Sequence, residues 1–169
     1  EALMVIGAVQ MLHSPELPPV PYDPDTWQCV GGRCFPLMTV RYVGAWKEYV
    51  TLPAIAAFGA VPEVIRLVTI LWSALAVWGA GRLAGVWAAW LLAIAPSFVA
   101  HTAFDNGAVA GWMGALGLLF VFLARHRENG RLVDAAAAGA AAGLGLWCRA
   151  NFAWLLAAAL AAFGPALWR

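Results

Sequence analysis

Charged residues are scarce in this chain. Of its 169 residues only 11% are Asp, Glu, Lys or Arg, whereas 63% are hydrophobic. A soluble domain usually has about 25% charged residues, and a chain of 17.9 kDa has too little interior to hide such an apolar excess from water. The shortage of charge also excludes intrinsic disorder, which requires low hydrophobicity and high net charge. The composition therefore predicts a membrane protein.

An excess of positive charge is also absent. The formal net charge is +1, and the basic residues are scattered along the chain. Nucleic-acid binding needs a clustered basic patch, so no nucleic acid is expected as a partner. The lipid bilayer is the partner that the composition predicts.

Stretches with few or no charged residues divide the chain into candidate spans. A spanning helix needs about 20 mainly apolar residues. Residues 2–12 are too few, and the chain opens with Glu1, so we interpret residues 1–13 as the end of the first helix of a longer protein. Residues 14–62 are predicted to form an extracytoplasmic loop with interfacial helices, and residues 63–169 five further spans. The predicted fold is all-α, a polytopic transmembrane bundle forming one domain. The five spans cover residues 64–81, 83–104, 106–124, 132–148 and 150–168.

The first loop is rich in proline, which predicts irregular or extended chain at its start. An apolar stretch over 50–60, broken by Pro53, is too short to span and is expected at the membrane interface. Cys29 and Cys34 flank a Gly-Gly turn and are predicted to form a disulfide or to stay as free thiols. A metal site on these cysteines would need further ligands, and no nearby histidine supplies one.

Several charged residues lie in or near the apolar segments, where burying a charge costs free energy, or are predicted to lie together on the outer side. Arg66 and Asp134 lie near helix ends, where snorkelling to the interface is the simplest interpretation. Asp23, Asp25, Lys47 and Asp105 are all predicted on the outer side. Carboxylates there can act as a general base or hold a divalent cation, and basic side chains can hold phosphate oxygens. The alternative is that these loop carboxylates are merely solvated.

Short motifs in a fixed order resemble the GT-C membrane glycosyltransferases. They are YVGAWKEY over 42–49, Leu52-Pro53, Pro96-Ser97-Phe98 with Asp105, and GLGLW over 143–147 followed by Arg149. The branch they resemble is the bacterial one related to protein O-mannosyltransferases and lipid A aminoarabinose transferases. The resemblance implies a helical bundle in the bacterial inner membrane, whose first periplasmic loop covers the active site.

The resemblance also implies roles for individual residues. Asp25 or Asp23 would be the catalytic base or a metal ligand. Lys47, with Arg149, would bind the phosphate of a polyprenyl-phosphate sugar donor. Asp105 would position a divalent metal or the donor. Relatives often have lysine at the place of Arg149, and they continue well beyond Arg169, so the acceptor determinants are expected elsewhere.

The implied function is transfer of a sugar from a polyprenyl-phosphate donor to a lipid, glycan or protein acceptor. The alternative is a non-enzymatic membrane transporter or a lipid-binding scaffold, in which the same charges would serve a substrate path. Transporters often show internal repeats and broken helices at mid-membrane depth. The sequence shows no such repeat, and its charges gather at one mouth, which favours the enzyme. A third possibility is that the fragment is inert without its missing parts.

Overall fold

The computed structural model of the chain describes residues 5–16, 25–40, 43–103 and 109–167. The described chain is mostly helical, as the sequence predicts. Its helices are α1 (Ile6–His13), α2 (Trp46–Phe58), α3 (Pro62–Ala84), α4 (Val86–Ile94), α5 (Pro96–Ala103), α6 (Val109–Asn129), α7 (Leu132–Cys148) and α8 (Phe152–Leu167). Its strands are β1 (Trp27–Val30), β2 (Arg33–Pro36), β3 (Met38–Val40) and β4 (Val43–Gly44).

Two of the described helices, α3 and α6, are long and apolar enough to cross a membrane. Helices α4 and α5 reach that length only together, and they are bent by 62°. The bend lies at Ala95, which is extended (ψ 119°) because proline at 96 disfavours helical backbone in the residue before it. Helix α7 and the first part of α8 are apolar but shorter. Two to three helices are therefore compatible with an integral membrane protein.

Small residues bring α3 and α6 into close contact. A Cβ atom on Gly79 would lie 2.8 Å from the Cα atom of Gly117, and one on Gly114 would lie 2.7 Å from the carbonyl oxygen of Trp72. Such contacts let two helix backbones approach within lipid, where packing rather than the hydrophobic effect holds helices together. Larger side chains at these positions would separate the two candidate spans.

The first loop contains strands that the sequence analysis did not predict. Strands β1 and β2 form an antiparallel hairpin, and β3 pairs with β4. Gly31 and Gly32 form the hairpin turn with φ of 61° and 79°, the positive values that a two-residue turn requires. The register places Cys29 opposite Cys34, and a disulfide joins them. Proline predicts the extended backbone, but the pairing follows from this glycine turn.

Helix α2 begins four residues before the apolar stretch from which an interfacial helix is predicted. It therefore includes Trp46, Lys47 and Glu48 in its first turn. Trp46 is 1% exposed, and its ring meets that of Trp72 edge to face with the centroids 5.1 Å apart. A side chain on Gly111 would overlap the Trp46 ring. This packing against α3 and α6 places the first turn of α2 at the end of the bundle where α6 begins.

Asp134 is not exposed at the membrane interface. Its side chain is buried in the first turn of α7, and its carboxylate lies 3.2 Å from Nε of Arg125 on α6. We call this end of the bundle, defined by Arg125 and Asp134, the hinge end, because it flanks the short connection from α6 to α7. The snorkelling interpretation of Asp134 is therefore wrong: an ion pair between helices compensates the burial of Oδ1, whereas Oδ2 is buried without a hydrogen-bond partner among the described residues.

Candidate functional site

The structure describes three of the five residues to which a catalytic or binding role is assigned. Asp25 is exposed, Lys47 is buried at 2% exposure, and Arg149 is half-buried in the turn between α7 and α8. Asp23 and Asp105 lie outside the described residues. A lysine is rarely so completely buried unless it is paired.

The backbone N–H and C=O groups of Leu37, between β2 and β3, connect the segments that contain these three residues. Its N–H donates to the carbonyl oxygen of Thr26, the neighbour of Asp25 (2.8 Å). Its own carbonyl oxygen accepts from the N–H of Ala45 (3.1 Å), two residues before Lys47. The same oxygen accepts from Nε1 of Trp147 (3.0 Å), two residues before Arg149. We call the end of the bundle around Leu37, Lys47 and Arg149 the loop end.

Close packing reinforces the junction between the loop and α7. The ring of Tyr49 lies 5.5 Å from that of Trp147, and the Tyr49 hydroxyl donates to the carbonyl oxygen of Pro36 (2.8 Å). A side chain on Gly44 would overlap the carbonyl oxygen of Trp147. The pKa of Tyr49 is raised by burial and, to a smaller extent, by the neighbouring Glu48. Tyr49 therefore remains a neutral hydrogen-bond donor at physiological pH.

A cavity of about 160 Å³ lies beside Arg149, and Trp112, Asn151, Phe152 and Leu155 complete its lining. Trp112 also packs against the cluster that contains Trp46 and Cys148, the neighbours of Lys47 and Arg149. The cavity thus adjoins the segments that contain both predicted phosphate ligands. It combines one guanidinium group, one amide and an aromatic wall.

Glu48 is a buried carboxyl group at the loop end. Its side chain is 1% exposed; Oε1 accepts a hydrogen bond from the Thr39 hydroxyl (3.1 Å), and Oε2 has no hydrogen-bond partner in the described chain. A Cβ atom on Gly7 would overlap Oε2, so the carboxyl group packs against the backbone of α1. Burial raises the pKa of Glu48 from 4.5 to about 7, and the Thr39 hydrogen bond opposes this rise.

Within the described ranges, no group of three or more His, Cys, Asp or Glu side chains lies together in a way that could hold a metal ion. Asp25 is the single described member of the acidic set from which a metal site is predicted, because Asp23 and Asp105 lie outside the described residues. The divalent metal therefore stays a prediction.

Comparisons of the chain with protein-family models, curated proteins and solved structures find no match.

The sequence did not predict the residues of the loop end whose environment depends on contacts between distant parts of the chain. The motif YVGAWKEY contains Glu48, but its burial depends on the glycine at position 7, some forty residues earlier. Asn151 and Trp112 come together only when α6 and α8 pack. A polar turn between two apolar segments is the one signal that could have singled out Asn151. Leu37 acts through its backbone, which no side-chain pattern reveals.

Proposed function

We propose that this chain forms the donor side of a membrane glycosyltransferase. It would move a sugar from a polyprenyl-phosphate donor to an extracytoplasmic lipid, glycan or protein acceptor. The GT-C-type bundle, the bacterial inner membrane and a periplasmic active site belong to the same proposal. One observation carries it: the backbone N–H and C=O groups of Leu37 are hydrogen-bonded to the segments that contain Asp25, Lys47 and Arg149. A candidate base and two candidate phosphate ligands come from three separate parts of the chain.

The electrostatics of the loop end support binding of a phosphate group. Lys47 lies in the first turn of α2, and Arg149 is the C-cap of α7, three residues before α8 begins at Phe152. The first turn of a helix has partial positive charge, so α2 adds to the attraction of an anion beside Lys47. Arginine further offers two parallel N–H donors to phosphate oxygens.

The proposed reaction is direct displacement at the anomeric carbon. The bond from the acceptor oxygen to that carbon forms while the bond from the carbon to the donor phosphate oxygen breaks. The leaving phosphate keeps the electron pair, and Lys47 and Arg149 stabilise its charge. Asp25, or Asp23 in its place, takes the acceptor proton. Asp105 would position the donor. Inversion at the anomeric carbon follows from a single displacement.

The burial of Lys47 adds a requirement. Since its side chain is 2% exposed, the phosphate can contact Nζ of Lys47 only after the residues that bury this side chain move. Arg149 is half-buried beside the open cavity and is therefore the first cation that the donor meets. Donor binding should thus be accompanied by a rearrangement around Lys47.

Turnover of defined donors tests the proposal. The full-length protein in nanodiscs would receive a panel of polyprenyl-phosphate sugars, with the wild type compared with Lys47→Gln, Arg149→Gln and Asp25→Asn. Loss of a group that stabilises the leaving charge should lower kcat/KM by about 100-fold. Arg82→Gln is the matched control, because Arg82 is exposed near the end of α3.

Full activity of both Lys47→Gln and Arg149→Gln would remove the phosphate-binding assignment. No turnover of any donor by a folded wild-type protein would favour the transporter or scaffold instead.

A further inference from the structure

Helices α6, α7 and α8 enclose an apolar groove that the proposed reaction does not use. Its volume is about 430 Å³, within the range of about 300–1,000 Å³ that is typical of ligand pockets. Leu119 of α6 and Ala138 of α7 form its floor and are 4% and 3% exposed. Leu160 of α8 lies at its edge and is 65% exposed, so the groove is open to the surroundings of the bundle.

The groove has the shape of a wedge. Near the loop end α7 and α8 touch, because Phe152 packs where a side chain on Gly145 would overlap its ring. Gly139, which lies nearer the hinge end of α7, also lines the groove, and a Cβ atom there would have no neighbour within 4 Å. A chain of methylene groups can taper into such a wedge, whereas a helix with a diameter of about 10 Å cannot enter it.

The mouth of the groove lies at the hinge end and has a net positive charge. His126 lines the groove, and its Nδ1 donates to the carbonyl oxygen of Arg131 (2.9 Å), since a carbonyl oxygen only accepts. This hydrogen bond fixes the ring beside the connection from α6 to α7. The ion pair of the hinge end leaves Arg127 and Arg131, both exposed, against a single exposed carboxylate of this connection, that of Glu128.

We propose that the groove binds one acyl chain of an anionic phospholipid, whose phosphate group lies at the hinge end between Arg127 and Arg131. Basic pockets between membrane helices bind the head groups of anionic lipids, and arginine side chains are long enough to reach the membrane interface. The apolar wedge matches the acyl chain, and the cationic mouth matches the phosphate. The inference is independent of the proposed sugar transfer, because the donor phosphate is assigned to the loop end, at the opposite end of α7.

Lipid titration followed by native mass spectrometry tests this inference. The full-length protein, freed of lipid in a mild detergent, would be titrated with dioleoyl phosphatidylglycerol and with dioleoyl phosphatidylcholine. The anionic lipid should bind with a Kd lower by at least about fivefold, and Arg127→Gln or Arg131→Gln should each weaken its binding by about fivefold. Arg82→Gln is the matched control and should leave the Kd unchanged, because Arg82 is an exposed cation in the last turn of α3 and does not line the groove.

A second pair of variants tests the groove itself. Gly139→Leu should weaken the binding of both lipids by about tenfold, because the added side chain occupies the space of the acyl chain. The empty space at Gly139 lets leucine enter without displacing a neighbour. Gly143→Leu is the matched control and should bind lipid as the wild type does. Gly143 is an exposed glycine of the same helix that also has no neighbour within 4 Å, and it does not line the groove.

Three results would overturn the inference. The first is equal affinity for the two lipids. The second is a Kd that Gly139→Leu leaves unchanged, which is expected if another helix covers the groove. The third is an equal loss of binding in Gly139→Leu and Gly143→Leu, with a dimer in the wild-type spectrum, which would indicate that a second copy packs against α7. Donor turnover enters none of these measurements, so their outcome leaves the proposed function to its own test.

Discussion

The two ends of the bundle each bury a carboxyl group, and they compensate for its burial differently. Asp134 at the hinge end is 2% exposed and forms an ion pair with Arg125. Glu48 at the loop end is 1% exposed and accepts one hydrogen bond from the neutral hydroxyl of Thr39. Among the described residues, Glu48 has no ion-pair partner, whereas Asp134 has Arg125.

This difference distinguishes Asp134, which has a structural role, from Glu48, which is a candidate functional residue. A buried charge must be paired or neutralised. Asp134 is paired, and the pair joins α6 to α7. Burial raises the pKa of Glu48 to about 7, so Glu48 is mostly neutral below that pH and titrates near physiological pH. Perturbed groups of this kind cluster at functional sites, and Glu48 directly follows Lys47.

The largest expected effect is a dependence of stability on pH that comes from Glu48. Between pH 4.5 and about 7 the folded protein binds a proton that the unfolded chain has lost. The free energy of unfolding should therefore fall as pH rises through that window and level off above it. A shift of this size corresponds to about 3 kcal/mol. Denaturant titrations in detergent micelles at pH 4.5, 6 and 8 measure it.

Glu48→Gln is the matched variant, since glutamine has the shape of the neutral acid and does not titrate. It should remove this contribution to the pH slope and be more stable than the wild type at pH 8. An equal slope in the variant and the wild type would show that Glu48 is ionised in the folded protein.

The contrast between the two carboxyl groups lies beyond what the sequence predicts. The rarity of charge indicates a membrane protein, and the apolar segments predict α3 and α6 within a few residues. Glu48 and Asp134 each come within three residues after a basic residue and stand next to an apolar segment. The sequence pattern alone therefore predicts the same environment for both. Their difference depends on long-range contacts: the backbone of α1 against Glu48, and the end of α6 against Asp134.

The same limit applies to the candidate site. Lys47 stands out as a cation before an apolar stretch, and Arg149 as one between two apolar segments. The sequence does not show that Leu37 bridges their segments, because backbone hydrogen bonds between distant parts of a chain leave no compositional signal. The bend at Ala95, by contrast, is readable from Pro96, although we predict one unbroken span there.

The second largest expected effect is a loss of stability when the ion pair at the hinge end is broken. Arg125→Ala should lower the free energy of unfolding by about 2 kcal/mol, because it leaves Asp134 buried without its cation. The value lies below that of a fully buried pair, since the Arg125 side chain is 44% exposed and water screens it. Arg125→Met retains the apolar stem, which separates the loss of charge from the loss of packing.

The double variant Arg125→Met/Asp134→Asn should recover at least half of the loss caused by Arg125→Met alone. Denaturant titration of the four proteins measures the coupling between the two side chains. If Arg125→Met is as stable as the wild type, the ion pair contributes nothing and the two ends differ less than proposed.

The smallest expected effect tests the contact between Glu48 and α1. In Gly7→Ala the added methyl group would overlap Oε2 of Glu48, although alanine favours a helix over glycine by about 1 kcal/mol. These opposing effects should leave a net destabilisation of about 1 kcal/mol, because overpacking of a buried site costs somewhat more than the helix gains. In a Glu48→Ala background the overlap is gone, and Gly7→Ala should then stabilise the protein. Denaturant titration of the two single variants and the double variant gives the coupling between these positions. A coupling of zero would mean that the Glu48 carboxyl group does not rest on α1, and the enclosed site that raises its pKa would lose one of its walls.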